Sequence, residues 1–267
     1  MKKIMLLVAT LCLIYNTVLA ENILMIGVDG ADRRYINWQD NGYKVINTET
    51  ISNTCTIPGW TQIFSGLMPN QSGAIDNQTW KALPYYKYLP GVLARNGYAV
   101  GWFVSKDYLG TKDMSPFYSI LSKADAKAMF LPQDMGLYYH TALANKATSF
   151  MNATQEPWFC FIHFNPDLYG HGGNESEYMR EISYAKAFFN VNKNRLNTLV
   201  LVVSDHGWND DTTNGKFSTS HTLAPRSFTY TSLECQRFGT LRDVSKTILD
   251  HIGLDNPLGG SSLLKDE

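Results

Sequence analysis

The period of apolar and polar positions changes several times along the chain, and each change marks an element. Leu199-Val200-Leu201-Val202-Val203 is an unbroken apolar run, the pattern of a strand buried on both faces of a sheet. Asn22 to Val28, Tyr98 to Val104 and Trp158 to Phe164 read the same way, and a shorter stretch predicts a strand near Tyr43 to Ile46. Between them the spacing turns helical: from near Pro58 through Trp60, Ile63 and Phe64, over Tyr88 to Asn96, around Ser122 to Met129, from about Met135 to Phe150, and from Glu175 to Phe189. Near the end, Leu241, Val244, Ile248 and Ile252 fall on one helical face. Proline suits the first turn of a helix, so a start near Pro58 leaves Thr56 just ahead of a helix N-terminus. Strands alternating with helices imply a mostly parallel central sheet covered on both faces, a three-layer α/β/α sandwich.

Composition narrows this picture. At 267 residues, 44% hydrophobic and 18% charged, the chain reads as one ordinary globular domain without repeats or linkers. A net charge of −1, with lysines and arginines scattered, leaves no electrostatic footprint for a nucleic-acid polymer. Lys2-Lys3, the apolar run Ile4 to Ile14 and the small residues of Val18-Leu19-Ala20 predict a signal peptide over residues 1–20. The mature domain would then be residues 21–267, exported to the periplasm or secreted, with no stable membrane insertion after cleavage. Cleavage leaves Cys55, Cys160 and Cys235, enough for at most one disulfide plus a free thiol.

The candidate chemistry lies where strands end. In open α/β sheets, ligands bind outside the carboxyl ends of the strands. Asp29 follows one predicted strand, Asp167 and His171 follow another in a glycine-rich loop, and Asp205-His206 follow a third. With His221 these make six carboxylate and imidazole groups, and Thr56 adds a hydroxyl. Imidazole and carboxylate suit zinc, with manganese or iron as alternatives. Six ligands suit two ions about 3.5–4 Å apart. Blander roles exist: Asp29 as a turn former, Thr56 as a helix cap, His221 as a surface-loop residue. His163, beside a strand, reads as a structural or supporting residue, His140 and His251 as core or surface residues, and Tyr85-Tyr86-Lys87-Tyr88 as packing.

Several motifs carry a family resemblance. Val28-Asp29-Gly30, Thr56-Ile57-Pro58, Asp167-Leu168-Tyr169-Gly170-His171, Ser204-Asp205-His206-Gly207, His221-Thr222 and the ending Gly259-Gly260-Ser261-Ser262-Leu263-Leu264 stand in an ordered set. That set resembles the alkaline phosphatase superfamily, nearest to its type I phosphodiesterase/nucleotide pyrophosphatase and sulfatase-like branches. The resemblance implies that Asp167, His171 and His221 hold one divalent ion and that Asp29, Asp205 and His206 hold a second, which Thr56 also approaches. It implies a phosphodiesterase or nucleotide pyrophosphatase acting on a small phosphate ester through a phospho-Thr56 intermediate. A phosphomonoesterase or a phosphoethanolamine-type transferase is the alternative within the superfamily, and a non-catalytic, metal-stabilised binding protein is the alternative outside it. Formylglycine sulfatases carry Cys or Ser two residues before the proline and Arg two after it, whereas this chain has Thr56 and Trp60, with Cys55 one place too early. Nucleotide pyrophosphatases usually follow that proline with asparagine; here it is Gly59, which leaves Asn77 as a candidate phosphate contact.

Overall fold

The structure is a computed structural model describing residues 21–265 apart from positions 37, 39, 41, 51–53, 112–113, 122–125, 131–138, 156, 210–216 and 223. The predicted signal peptide, residues 1–20, lies outside the described residues. Strands β1 (Asn22–Val28), β2 (Lys44–Glu49), β3 (Ala99–Val104), β4 (Ala126–Phe130), β5 (Trp158–Phe164), β6 (Thr198–Val203), β7 (Thr229–Thr231) and β8 (Phe238–Thr240) join in the order β4-β3-β5-β1-β6-β7-β2-β8. Strand β7 runs antiparallel to β6 and β2, and the other pairings between these strands are parallel. The main helices are α1 (Thr56–Ser65), α2 (Leu89–Arg95), α3 (Tyr139–Ala153), α4 (Pro166–His171), α5 (Glu175–Asn192) and α6 (Asp243–His251).

Strand β1 shows why its sequence is apolar throughout. Ile23 and Met25 enter one core while Leu24, Ile26 and Val28 enter the other, and all five are buried. Helices α1, α2 and α6 cover the first face, where Trp60, Phe64, Leu93 and Ile248 pack around Trp102 and Phe161. Helices α3 and α5 cover the second with Leu143, Phe150, Tyr178, Ile182 and Phe189. Each such large side chain contributes roughly 1.5–3 kcal/mol on burial. The α/β/α sandwich follows from two apolar faces that both need covering.

Four local expectations change. The helix expected around Ser122 to Met129 is instead, from Ala126 onward, the edge strand β4, paired in register with β3 from Val100↔Ala126 to Val104↔Phe130. A short stretch of alternating alanine and charged residues fits either period, and strand pairing decides between them. The strand near Tyr43 to Ile46 runs over Lys44–Glu49. Helix α1 begins at Thr56, two residues before Pro58, because proline is tolerated anywhere in a first turn whose N–H groups lack intrahelical partners. His171 ends helix α4 rather than lying in a loop, which places it one turn from Asp167. The expected helix from Met135 is described from Tyr139 onward. Cys55, Cys160 and Cys235 are free thiols.

Register brings the functional ends level. Val28 pairs with Phe164, Gly27 with Val203, and Phe103 with Ile162. The carboxyl ends of β3, β5, β1 and β6 therefore open side by side, under the N-terminus of α1.

Candidate functional site

Six of the sequence-predicted residues converge as two groups. In the first, Asp167 Oδ1 lies 3.6 Å from His171 Nε2 and 3.4 Å from His221 Nε2, and the two imidazole nitrogens are 3.1 Å apart. In the second, His206 Nε2 lies 3.8 Å from Asp29 Oδ1 and 3.5 Å from Asp205 Oδ2. His206 also stacks on His221, so the groups are contiguous. Asp29, Asp205 and His206 are fully buried, whereas the His171 side chain is 52% exposed, which sets the solvent side of the site.

Local chemistry fixes each group. Gly30 adopts φ +64°, and a Cβ there would meet Asp167 Oδ1 at 3.0 Å, so only glycine lets the chain turn between the carboxylates. Its N–H donates to Asp205 Oδ1, leaving Oδ2 to face the site. His206 Nδ1 pairs with the Gly207 carbonyl at 3.0 Å and His171 Nδ1 with that of Thr219 at 3.2 Å. A carbonyl only accepts, so both rings carry a proton on Nδ1 and turn Nε2 inward. The Thr54 hydroxyl donates to the His221 carbonyl, tying that loop to the start of α1.

A divalent ion fits these residues. Asp167 Oδ1, Asp205 Oδ2 and His206 Nε2 are buried and have no hydrogen-bond partner among the described residues. Buried polar atoms are normally satisfied, so three orphans pointing into one place signal missing positive charge. Zinc at 2.0–2.1 Å from tetrahedral ligands would separate them by about 3.4 Å, and the measured separations run from 3.1 to 3.8 Å. Asp167, His206 and His221 and, separately, Asp29, Asp205 and His206 each bring one ligand atom within 4.8 Å of the others.

Thr56 is the first residue of α1 and 1% exposed. Asn77 is also brought here, but its Oδ1 accepts the Ile57 N–H at 2.9 Å. The first-turn Ile57 N–H of α1 is thus already engaged. Lys106, two residues beyond β3, was not among the residues predicted from sequence. Its ammonium lies 2.7 Å from Thr56 Oγ1, 2.8 Å from Asp29 Oδ1 and 2.6 Å from Asp167 Oδ2. Asp167 therefore divides its oxygens, one toward Lys106 and one toward the histidines.

Electrostatics follow from that crowding. Burial works against the Lys106 charge, but Asp167 and Asp29 outweigh it and hold its pKa far above the usual range. Burial likewise opposes ionisation of Asp29, yet Lys106 and His163 keep it well below the ordinary carboxylate range. Asp205, farther from the ammonium, is pushed up to about 7 by burial and by the charge of Asp29. His221 falls to about 3, through burial and the neighbouring His206.

The family model described as Sulfatase matches residues 34–178, more than half of the chain, and one described as Metalloenzyme superfamily matches residues 127–256. No curated protein matches in sequence. Among solved structures, a putative sulfatase from Bacteroides thetaiotaomicron is similar with TM-score 0.69 at 14% identity, covering 93% of this chain and 76% of that one. The lipoteichoic acid synthase LtaP from Listeria monocytogenes gives 0.62 at 13%, covering 92% and 75%. Alkaline phosphatase from the Antarctic bacterium TAB5 gives 0.56 at 16%, covering 88% and 99%. At these identities the likeness is one of fold, and it agrees with the order of motifs along the chain. The chain belongs to the sulfatase family, and its match to the metalloenzyme superfamily model and its likeness in fold to an alkaline phosphatase accord with that.

Proposed function

We propose that the protein is an exported hydrolase of phosphate esters that works through a covalent phospho-Thr56 intermediate and two divalent ions, zinc in the first place. The observation that carries this reading is that Thr56 Oγ1 lies 2.7 Å from the Lys106 ammonium, which also contacts Asp29 and Asp167, one carboxylate of each ligand group. Asp167, His171 and His221 would hold one ion and Asp29, Asp205 and His206 the other. When bound, such a pair lowers the pKa of a hydroxyl or water and neutralises phosphoryl oxygens. Thr56 Oγ1 attacks phosphorus as its proton leaves, the ester P–O bond breaks, and the alcohol departs after taking up a proton. Water then attacks the phosphorus of the Thr56 adduct and its bond to Thr56 Oγ1 breaks, which restores the hydroxyl and releases a phosphomonoester from a diester substrate or phosphate from a monoester. Asp167 and Asp29 hold Lys106 as an ammonium, so it serves by donating to developing negative charge rather than by removing a proton. Thr56 at the nucleophile position, with neither Cys nor Ser there, favours phosphate over formylglycine-dependent sulfate chemistry. The leader over residues 1–20 supports export.

The motifs favour diesters. A second reading, phosphomonoesters, is favoured by Lys106, because a third cation beside two ions matches the extra charged oxygen of a monoester. The test compares p-nitrophenyl phosphate, bis-p-nitrophenyl phosphate and p-nitrophenyl sulfate with added zinc or manganese. Thr56→Ala is expected to abolish turnover and phosphoenzyme trapping. Lys106→Met is expected to cost about 10²–10³ in kcat/KM for the better ester, with the larger loss on the monoester if the second reading holds. Hydrolysis of neither phosphate ester, or undiminished turnover by Thr56→Ala, would sink the proposal.

A further inference from the structure

Asp29 turns its two oxygens in opposite directions. Oδ1 faces Lys106 and His206, while Oδ2 points into the core, where it accepts the Trp60 indole N–H at 3.1 Å and lies 3.0 Å from His163 Nε2. A carboxylate only accepts, so His163 presents its N–H at Nε2. That tautomer leaves Nδ1 to accept from the Ser105 hydroxyl, 3.5 Å away, beside Lys106 in the chain. Both back-side donors are fully buried, and the His163 ring stands edge-on to Trp60 at 5.6 Å. The seat for Trp60 is built into β1: a Cβ at Gly27 would lie 2.6 Å from the indole and 2.8 Å from Phe161. Trp60 also lies one turn beyond Thr56 on α1, so the indole that holds Asp29 fixes the rotation of the helix that presents the hydroxyl.

We infer that Trp60 and His163 are positioning residues that make Asp29 a one-oxygen ligand and thereby set the affinity of one ion of the pair and its register with Thr56. The inference rests on the proposed reading of Asp29, Asp205 and His206 as one ion's ligands. A plain core role would lower stability without distinguishing the two ions.

The experiment measures zinc affinity of the full chain, stripped by chelator, through competition with a chromophoric chelator, with thermal melts alongside. Trp60→Phe keeps a ring and removes the N–H, His163→Leu removes the other donor, and His163→Gln keeps one. Asp205→Asn marks which equivalent belongs to the Asp29 group. Trp60→Phe and His163→Leu are each expected to weaken that equivalent about 10–100-fold and spare the other, whereas His163→Gln stays near the parent. Two equivalents with unchanged affinities in both donor-less variants would overturn the inference while leaving the proposed function standing, as would parallel weakening of both equivalents. An unaltered protein that binds no zinc would overturn both together.

Discussion

Gly59 occupies the position where nucleotide pyrophosphatases usually carry asparagine, and close approach explains the exchange. A Cβ at 59 would lie 2.5 Å from the Asp205 carbonyl oxygen and 2.8 Å from the Asp205 Cβ. Helix α1 reaches the end of β6 only because nothing projects there, and the same approach brings Thr56 to the buried carboxylates. Gly59→Ala is expected to cost about 1–3 kcal/mol of stability through overpacking against backbone that cannot swing aside. It should also depress ester hydrolysis by displacing Thr56; chemical denaturation together with kcat/KM checks both, and a variant matching the parent in both would refute the account. At this scale the residues that converge were legible because Asp and His stand at strand ends, where residues that serve only packing rarely take that form. Asp167 and His171 also stand four residues apart, which helix α4 turns into one face, but the glycines around His171 made that segment read as a loop. Lys106 had no such mark. A single lysine past a strand is spelled like any solvated lysine, and only the adjacency of β3, β5 and β1 makes it a partner of Asp29 and Asp167.

Between elements, the joint of α3 and α5 carries an unusual burial. Glu181 on α5 is buried, accepts the Tyr139 hydroxyl of α3 at 2.6 Å, and has His140 Nδ1 3.9 Å away. Burial pushes its carboxyl up to about 7 from an ordinary value of 4.5. Between those two values the folded protein holds a proton that the unfolded chain has released. This group's stabilising effect is therefore full below about pH 4.5 and is lost as pH rises toward 7, a span on the order of 3 kcal/mol. Glu181→Gln keeps the carbonyl that Tyr139 needs and removes the charge. The stability of that variant relative to the parent, from urea unfolding at successive pH values, is expected to rise steadily across this range; a flat difference would contradict the buried-carboxylate account. The elements themselves were legible in proportion to length. β1, β5, β6 and α5 are long and strongly patterned, whereas β7 and β8 have three residues each, too few to show a period. β4 was misread because five residues at a sheet edge take their identity from β3, not from their own spacing.

Across the whole molecule, the sheet gathers Asp29, Asp167 and Asp205 at one end, with Lys106 as the ammonium among them. That arrangement is poorly balanced by itself, as the orphaned oxygens of Asp167 and Asp205 and the raised pKa of Asp205 show. Divalent ions at this end would therefore stabilise the entire fold, since β3, β5, β1, β6 and α1 all meet there. A ligand at a thousandfold excess over its Kd adds about 4 kcal/mol, roughly 10 °C in Tm for a domain of this size. Chelator-treated protein is expected to melt lower by that order, and zinc should restore the loss where sodium chloride of equal ionic strength does not. The restoring effect has a direction in pH. Asp205 must release its proton to serve as a ligand, so the zinc-induced rise in Tm should shrink as pH falls below about 7. Differential scanning calorimetry with and without zinc between pH 5.5 and 8 reads this directly (a range chosen to bracket the ordinary histidine value near 6.5 as well). A Tm indifferent to chelator and zinc throughout would mean that the carboxylates are balanced by protons and Lys106 alone, and the two-ion reading of this site would then be wrong.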